Sequence, residues 1–364
     1  MRHAMIMAGG SGTRLWPMSR RGTPKQLIPF LDGRSLLQMA WERLEGLIPP
    51  ERVYVCAPEE HRRSIAAALP DLHPGNYIGE PSGRDTLNAV GLSATVIGLH
   101  DPDALFAAVT ADHIIGPKEA FQQFVAHGFD VCERDPRAMV TFGITPTAPA
   151  TGFGYLELGE RRAAGVYAVR QFREKPGLAT ARQFYDAGPE RFLWNSGMFV
   201  WRAGTLLECI RRFEPSTAEG LEAIGRAWDG PERAGTLEQT YGHFRKISVD
   251  YALMEPASRD PAFRVVAVPM RIEWMDVGNW SSFAKTCPAD PAGNRLSARR
   301  AIVQDSRDTL VASSDPAHLI AVIGCEGLMV IHTPDATLVC PADQAEAVKD
   351  LTQTINERFG PEAL

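Results

Sequence analysis

Short apolar runs alternate with amphipathic stretches along the first 145 residues of the chain. The runs have the length and composition of buried strands, and the stretches between them repeat apolar positions at helical spacing. The predicted strands are HAMIMA (residues 3–8), RVYVCA (52–57), NYIGE (76–80), ALFAAVTAD (104–112) and AMVTFGI (138–144), and the predicted helices cover residues 34–47, 85–99 and 118–133. This alternation predicts an α/β fold with a doubly wound, mixed but mostly parallel sheet.

The pattern changes twice in the rest of the chain. An antiparallel ribbon and three helices come first, and from about residue 294 five brief β-rich runs are separated by Asp, Ser, Pro or Gly. The predicted elements of the first part are the ribbon strands GYLELG (154–159) and VYAVRQFREK (166–175) and helices around residues 180–186, 205–213 and 217–228. A last helix is predicted over residues 343–358. We therefore predict an α/β domain over residues 1–290 and a small β-rich module over residues 291–364.

The composition is that of a globular protein. Of the 364 residues, 45% are hydrophobic and 23% are charged, which argues against large-scale disorder. The net charge is −6, from 44 acidic and 38 basic side chains. An acidic balance argues against a general polyanion binder, so no nucleic acid polymer is expected as a partner and any basic site must be local.

The cysteines and the apolar segments indicate the cellular compartment in which the protein is expected. Six cysteines are scattered without paired spacing, so neither a zinc ribbon nor a disulfide framework is predicted. The N-terminal run from Ala4 to Ala8 is too short for a signal peptide, and no apolar stretch approaches the roughly 20 residues of a membrane span. We therefore expect a cytoplasmic protein with reduced thiols and no membrane partner.

The stretch MAGGSGTRLWPMSRRGTPKQL (residues 7–27) begins at the end of the first predicted strand and contains the most informative chemistry in the chain. Gly9, Gly10 and Gly12 permit positive φ angles and let backbone amides approach a ligand closely. The stretch lacks the GK[ST] ending of an NTPase loop and the third glycine of a dinucleotide fingerprint. Arg14 and Lys25 instead provide two separated cations, which suit an extended triphosphate.

GGSGTRLWPMSRRGTPKQL resembles the signature of the sugar-nucleotide pyrophosphorylases, and its tryptophan before a proline and its PKQ ending resemble the mannose-1-phosphate guanylyltransferase (GDP-mannose pyrophosphorylase) branch. Further segments are similar to that family, in its order, over roughly residues 3–285. They are EPSGRDT (80–86), TADH (110–113), TGFGYLE (151–157), FREKP (172–176), WNSGMFVW (194–201) and WMDVGNW (274–280). TLVCPADQAEAVKDL (337–351) is similar to its C-terminal β-helix-like module.

The resemblance implies a Rossmann-like, GT-A-like nucleotidyltransferase domain followed by a left-handed β-helix-like module. It also implies a reaction in which mannose 1-phosphate attacks the α-phosphorus of GTP in line, giving GDP-mannose and pyrophosphate. Two polyanions must meet, and each like-charge pair at about 4 Å costs roughly 4 kcal/mol at an effective dielectric near 20. Cations and a metal are therefore the main requirement, rather than a nucleophile.

By resemblance, Asp112 and Asp276 are the ligands of Mg²⁺ or another divalent cation, and with Arg14 and Lys25 they form the predicted catalytic set. Two carboxylates suffice for Mg²⁺, because substrate oxygens and water complete its shell. Taken singly, either aspartate also suits a helix N-cap or a strand-end turn. His113 either orients a neighbouring carboxylate or caps a loop.

The predicted nucleotide site combines the glycine loop with a contact to the base. Guanine presents N1–H and an exocyclic amine that one carboxylate can accept together, and Glu80 is the candidate for this contact. The segment RDTLNA after Gly83 departs from the family pattern, which affects the details of the base contacts. The predicted nucleotide-binding residues are Gly9, Gly10, Ser11, Gly12, Thr13, Arg14, Lys25, Glu80, Arg84 and Asp85.

The predicted site for the sugar phosphate consists of Gly154, Glu174, Lys175 and Asn195. By resemblance, Glu174 and Asn195 hydrogen-bond sugar hydroxyls and Lys175 holds the phosphate. Neighbouring residues of a regular strand point to opposite faces, so Glu174 and Lys175 can share a ligand only if the turn toward Pro176 relaxes the strand. The alternative is an ion pair on an exposed strand.

Two other functions stay open at this stage. The chain could be a guanylyltransferase for another sugar 1-phosphate, such as a glucose or heptose phosphate, or a catalytically silent sugar-nucleotide-binding regulatory subunit. Longer relatives carry an isomerase module after the guanylyltransferase, but residues 295–364 contain no His-rich metal cluster, so isomerase activity is expected to be absent. A homodimer supported by the C-terminal module is expected.

Overall fold

The computed structural model describes residues 1–10, 12–29 and 33–364, so Ser11 of the predicted nucleotide site lies outside the described residues. The described chain forms two compact units. The first unit contains residues 1–9, 40–111 and 115–274, and the second contains residues 10–39, 112–114 and 275–364. None of the helices in the described part of the chain has the length and apolar content that crossing a membrane requires.

A nine-stranded sheet forms the centre of the first unit. Its strands are β1 Arg2–Met7, β2 Val53–Pro58, β3 Tyr77–Glu80, β4 Leu105–Thr110, β6 Ala138–Ile144, β7 Tyr155–Ala163, β8 Val166–Arg173, β9 Phe192–Arg202 and β10 Arg264–Pro269. They lie in the order β3-β2-β1-β4-β9-β6-β10-β8-β7, and β8 and β9 run opposite to the other seven. The predicted mixed, mostly parallel sheet is confirmed.

Helices cover both faces of this sheet. The helices of the first unit are α2 Arg62–Ala68, α3 Thr86–His100, α4 Lys118–Arg134, α5 Leu178–Asp186, α6 Ala203–Phe213, α7 Pro215–Ala227, α8 Arg233–Tyr241 and α9 Glu255–Ala257. Phe199 and Trp201 of β9 belong to the core that also contains α3 and α6, whereas Val200 faces Gly128 of α4, because successive strand side chains alternate. The doubly wound arrangement follows from this alternation.

Parallel pairing brings the starts of three predicted motifs to one edge of the sheet, namely the glycine loop, TADH and EPSGRDT. Strand β1 pairs with β2 and β4, with Met7 opposite both Cys56 and Thr110, and β2 pairs with β3, with Pro58 opposite Glu80. The carboxyl ends of these strands therefore lie side by side. Doubly wound folds bind their ligands at this edge of the sheet. The glycine loop begins directly after Met7.

The second unit contains the predicted β-rich module. Its elements are α10 Trp280–Thr286, β12 Arg295–Ser297, β13 Ala301–Gln304, β14 Leu310–Ser313, β15 Ile320–Ile323, β16 Leu328–Thr333, β17 Ala336–Pro341 and α11 Val348–Phe359. Strands β12, β14 and β16 pair in parallel, as do β13 and β15, which is the pairing of successive coils in a β-helix, and β17 closes the first sheet antiparallel to β16. The predicted C-terminal module is confirmed, while the domain boundary at residue 290 stays a prediction.

Three further elements have residues from both units, namely α1 Leu36–Leu44, β5 His113–Gly116 and β11 Glu273–Asp276. The sequence pattern did not predict β5, β9, β10, β11 or β12 as strands. Strand β9 contains the motif WNSGMFVW, which was interpreted as part of the site and not as a strand. Strands β5, β11 and β12 are only three or four residues long. Runs this short give little periodicity to read.

Candidate active site

A lysine and two aspartates lie together in the second unit. Lys25 Nζ is 2.6 Å from Asp112 Oδ2, and the charges of both groups act on Asp276. The backbone N–H of Val277 donates to the carbonyl of Asp112 at 3.0 Å, which holds the two aspartate segments next to each other. The structure therefore brings together three residues of the predicted catalytic set, which we call the lysine–aspartate cluster (Lys25, Asp112 and Asp276).

Burial disfavours the charged form of all three groups, and the charges of their neighbours decide the direction in which each pKa shifts. Burial would raise the pKa of Asp112, but the Lys25 ammonium outweighs it and lowers this pKa to about 2. Burial and the neighbouring Asp112 carboxylate raise the pKa of Asp276. Burial disfavours the charged form of Lys25, yet the two carboxylates overcome it and raise its pKa. The cluster therefore favours further positive charge beside Asp276.

The two aspartates of the cluster, together with His113, form a donor set for a cation. The ligand atoms of Asp112, His113 and Asp276 all lie within 4.8 Å of one another. Asp276 Oδ1 is buried and has no hydrogen-bond partner among the described residues. A buried, unpartnered carboxylate oxygen is costly unless a cation completes it, and Mg²⁺ takes one or two carboxylates. The residues present fit a divalent cation.

The glycine loop packs directly on the lysine of the cluster. Gly12 has φ +59° and Gly10 has φ +112°, which is the region that favours glycine. A Cβ on Gly12 would lie 2.8 Å from Lys25 Cβ and 2.5 Å from Ser19 Oγ. Gly12 is therefore required both for the backbone conformation and for the space that Lys25 occupies.

Thr13 and Arg14 begin the short helical turn Thr13–Leu15 after the loop, in which the Thr13 carbonyl accepts a hydrogen bond from the Trp16 N–H at 3.2 Å. The Arg14 side chain is exposed, and its Nε is 2.8 Å from Glu346 Oε2. It acts on the lysine–aspartate cluster through its charge, which opposes, without reversing, the rise in the pKa of Lys25 and of Asp276. The other end of the loop is anchored where Trp280 Nε1 donates to the Trp16 carbonyl at 2.9 Å.

In the first unit, Glu80 ends strand β3 as a buried carboxylate. Tyr241 donates its hydroxyl proton to Glu80 Oε1 at 2.6 Å, and a Cβ on Gly9 would lie 3.6 Å from Glu80 Oε2. Burial raises the pKa of Glu80 to about 7, although the Tyr241 bond works in the opposite direction. The structure therefore places the predicted base contact beside the first glycine of the loop, and it adds Tyr241, which the sequence analysis missed.

Asp85 and Arg84 have local structural partners. Asp85 has φ +70° and caps helix α3, because its Oδ1 accepts the Thr86 N–H at 2.8 Å. Asn88 Nδ2 donates to the backbone carbonyls of Arg84 and Arg245 at 2.6 and 2.9 Å, which fixes the loop before the helix. Arg84 Nε lies 3.4 Å from Ser82 Oγ. Nucleotide contacts by Arg84 and Asp85 stay predictions.

The four residues predicted for the sugar phosphate also come together in the first unit. Strand β8 ends at Arg173, and Lys175 adopts φ +40°, so the alternation that would separate Glu174 from Lys175 no longer applies. Lys175 Nζ lies 3.2 Å from Glu174 Oε1. Gly154 lies against this pair, because a Cβ at that position would collide with Glu174 Oε2. The strand thus relaxes toward Pro176, which is the condition under which Glu174 and Lys175 can share a ligand.

Glu174 Oε2 is buried and has no hydrogen-bond partner among the residues that the structure describes. Burial raises the pKa of Glu174, and the Lys175 ammonium acts against this shift. A buried acceptor without a donor is unusual in a folded protein and often marks a place that a ligand completes. Gly154 leaves the space in front of this oxygen open.

Asn195 connects the sugar-phosphate candidates to a residue that the sequence analysis missed. Its Oδ1 accepts the Thr141 hydroxyl at 2.7 Å, and its Nδ2 donates to Asp250 Oδ1 at 2.8 Å. Burial and the Glu174 carboxylate raise the pKa of Asp250 to about 7. Asp250 begins a π-helical turn, Asp250–Met254, within the run ISVDYALM. A lone aspartate in an apolar run was the available signal, since π-helical turns often occur at functional sites.

Comparisons with known proteins identify the family of the chain. Residues 3–292 match the model of the nucleotidyl transferase family. The chain therefore belongs to the nucleotidyl transferase family. Residues 299–354, within the β-rich module, match a second family model, described as the MannoseP isomerase/GMP-like beta-helix domain.

Curated relatives place the chain in a narrower group. A mannose-1-phosphate guanylyltransferase of Klebsiella pneumoniae is 36% identical over 361 residues, which cover 97% of this chain and 74% of the relative. The xanthan biosynthesis protein XanB of Xanthomonas campestris pv. campestris is 36% identical over 365 residues, covering 99% of this chain and 74% of the relative. The resemblance to the mannose-1-phosphate guanylyltransferases is confirmed.

A solved structure extends the similarity to three dimensions. The crystal structure described as a mannose-1-phosphate geranyltransferase from Thermus thermophilus has a TM-score of 0.84 and 33% identity, and the match covers 98% of this chain and 99% of that one. A mannose-6-phosphate isomerase from Helicobacter pylori matches with a TM-score of 0.60 and 23% identity, covering 76% of this chain and 99% of that one, and shares the fold.

Proposed function

We propose that the protein transfers GMP from GTP to mannose 1-phosphate, forming GDP-mannose and pyrophosphate. The observation that carries the proposal is the lysine–aspartate cluster, in which Lys25 Nζ lies 2.6 Å from Asp112 Oδ2 beside the orphaned oxygen of Asp276. Lys25 supplies one positive charge for the meeting of two polyanions, and the two carboxylates would hold the divalent cation that supplies the rest. The relatives named mannose-1-phosphate guanylyltransferase support the identity of the substrates.

Asp112, Asp276 and His113 would hold a divalent cation, and we propose Mg²⁺ because two carboxylates with substrate oxygens suit it. When bound, the cation neutralises phosphate charge and polarises the phosphoryl oxygens. Lys25 contributes a compact positive charge for the triphosphate, and Arg14 a second, exposed one. The backbone amides of the glycine loop complete the cradle for the phosphates.

Glu80 is proposed to accept the N1–H and the exocyclic amine of guanine. Its burial and its bond to Tyr241 fix its orientation, and its Oε2 lies beside Gly9, the first glycine of the loop. The paired donors of guanine would favour the ionised carboxylate that burial otherwise disfavours. Adenine and the pyrimidines lack this donor pair, and would leave the carboxylate unpaired.

Glu174, Asn195 and Lys175 are proposed to bind mannose 1-phosphate. Glu174 Oε2 offers a buried acceptor for a sugar hydroxyl, and Lys175 offers an exposed ammonium for the phosphate. Because Thr141 and Asp250 already occupy one acceptor and one donor position of Asn195, the amide retains one of each for the sugar. Asp250 thereby fixes the orientation of Asn195.

The proposal is tested by incubating the full chain with GTP, Mg²⁺ and mannose 1-phosphate and measuring GDP-mannose and pyrophosphate. We expect Lys25→Ala and Asp276→Asn to lose at least about 100-fold in turnover, the usual effect of removing one electrostatic group from such a site. Lys118→Ala and Asp103→Asn, which alter exposed surface ion pairs, serve as matched controls and are expected to retain full turnover.

A panel of substrates separates the remaining alternatives. Faster turnover with glucose or heptose 1-phosphate than with mannose 1-phosphate would assign another sugar substrate. Binding of the sugar nucleotide without release of pyrophosphate would indicate a regulatory subunit. Wild-type turnover in both Lys25→Ala and Asp276→Asn would overturn the proposed residue functions.

We also propose that the protein is a cytoplasmic homodimer that supplies GDP-mannose for polysaccharide synthesis. Six free thiols and phosphorylated substrates suit the cytoplasm, and relatives are named for xanthan and alginate biosynthesis. Ile302 and Ile323 are 57% and 68% exposed. Both lie on the outward face of the β13–β15 pair, which offers an apolar surface to a second copy.

A further inference from the structure

The β-rich module contains a cluster of metal-ligating side chains that the proposed reaction does not use. Asp315 lies in the loop after β14, His318 precedes β15, and His332 lies in β16. One ligand atom from each lies within 4.8 Å of the others. We propose that this cluster, the Asp–His–His site, binds a divalent transition-metal ion of the Zn²⁺ type.

The two imidazole rings are stacked on each other. The ring centroids of His318 and His332 are 3.7 Å apart, with an angle of 20° between the ring planes. His332 Nδ1 lies 3.0 Å from Thr337 Oγ1, which leaves Nε2 as the ligand atom. Metal-binding histidines characteristically make such a hydrogen bond through the second ring nitrogen, because it fixes both ring orientation and tautomer.

The loop that presents Asp315 and His318 is held at several points. The Asp315 N–H donates to Ser313 Oγ at 3.1 Å, and Asp315 Oδ1 accepts the Ala317 N–H at 2.8 Å, which leaves Oδ2 for a metal. Arg300 Nη1 donates to the Ala317 carbonyl at 2.9 Å. The loop is thus ordered before a metal binds, so that binding loses little conformational entropy.

The Ser314 N–H joins this loop directly to the strand that carries the third ligand. It donates to the His332 carbonyl at 3.1 Å, so Asp315 and His332 are fixed relative to each other by the backbone. A bound ion would therefore connect successive coils of the module. We expect it to stabilise the module rather than to take part in the transfer reaction.

The donor set selects the class of metal. Two imidazoles and one carboxylate suit Zn²⁺, Co²⁺, Ni²⁺ or Cu²⁺, whereas Mg²⁺ prefers a shell of oxygens. The cluster Asp112–His113–Asp276 has the opposite balance, with two carboxylates and one imidazole. The two clusters are therefore expected to differ in metal preference. Sequence spacing did not reveal the site, because D-x-x-H and one distant histidine match no established metal motif.

The test is a titration of the metal-free full chain with Co²⁺ and Zn²⁺ in the presence of saturating Mg²⁺, followed by visible absorption and calorimetry. We expect one Co²⁺ site with ligand-field bands, and at least tenfold weaker Zn²⁺ binding after His332→Ala or Asp315→Asn. His100→Ala, which removes an exposed histidine at the end of α3, is the matched control and should bind like the wild type.

Mg²⁺-dependent turnover confirms that each variant is folded, because the Asp–His–His site lies outside the proposed catalytic machinery. A shift of the thermal midpoint on adding Zn²⁺, present in the wild type and lost in His332→Ala, would support the stabilising effect. Titration curves of the wild type and of His332→Ala that superimpose would overturn the proposal, as would a Zn²⁺ affinity lost only when Asp276 is replaced.

Discussion

Glu80, Asp112 and Asp250 show how the same kind of side chain acquires different properties from its immediate neighbours. Burial works against ionisation in all three. The ammonium of Lys25 reverses the effect for Asp112, whose pKa falls to about 2. The pKa of Glu80 and of Asp250 rises to about 7, because no cation of comparable strength compensates their burial.

Replacing Glu80 by Gln tests the raised pKa. A folded-state pKa of about 7 against an ordinary value of 4.5 favours the folded state below pH 4.5, and this contribution is lost as the pH rises to 7. Above pH 7 we expect Glu80→Gln to be more stable than the wild type by about 3 kcal/mol, with the difference vanishing near pH 4. Chemical denaturation across this pH range measures it.

Gln keeps the acceptor for the Tyr241 hydroxyl, so the comparison isolates the charge. Glu60→Gln, at an exposed position, is the control and should show no such difference. A stability difference that is the same at pH 4 and pH 8 would show that Glu80 does not titrate in this range.

At the scale of the element, the glycine loop is packed closely against the residues that follow it in the chain. Gly12 has a positive φ angle, and Ser19 and Lys25 occupy the space in front of it. Gly154 similarly borders the buried oxygen of Glu174. These two glycines lie in different segments, but each leaves room beside a charged side chain that we place in the site.

Gly12→Ala is expected to displace Lys25. The added Cβ would lie 2.8 Å from Lys25 Cβ, and φ +59° is unfavourable for alanine, so turnover should fall at least about tenfold. Steady-state kinetics with GTP measures the effect. Gly22→Ala is the matched control in the same segment, because a Cβ there meets no atom within 4 Å. Equal losses in both variants would contradict the argument.

Gly154→Ala is expected to impair binding of the sugar phosphate. Its Cβ would collide with Glu174 Oε2, so the KM for mannose 1-phosphate should rise while the KM for GTP changes little. Gly152→Ala, two residues earlier, has open space and serves as the control. A larger effect on the KM for GTP would place Gly154 in the nucleotide site instead.

At the scale of the whole molecule, the outward face of the β-rich module bears on assembly. Ile302 and Ile323 occupy diagonal positions on the exposed side of the β13–β15 pair, where a monomer would leave both in water. If a second copy covers this face, Ile323→Lys should shift the protein toward monomer, because a buried charge without a partner is costly.

Light scattering coupled to size-exclusion chromatography measures this shift. Leu178→Lys, at an exposed leucine of the first unit, is the control and should leave the mass unchanged. A wild-type chain that is monomeric at all concentrations, or an Ile323→Lys variant with the mass of a wild-type dimer, would contradict an interface at this face.

Local patterns predicted much of this molecule. The apolar run AMVTFGI is strand β6 over the predicted residues, and the glycine loop lies directly after β1 as expected. The strands that the sequence pattern did not predict owe their conformation to pairing with other strands of the fold. Strand β9 runs antiparallel between β4 and β6, a placement that no property of its own residues specifies.

By itself, the sequence determined the α/β class, the β-rich module and the residue types for phosphate and metal chemistry, because hydrophobic periodicity and glycine placement are local properties. Only the tertiary structure decided that Tyr241 would meet Glu80, that Asp250 would hold Asn195, and that His318 would stack on His332. These contacts join residues far apart in the chain, and their geometry and burial set the charge of each group.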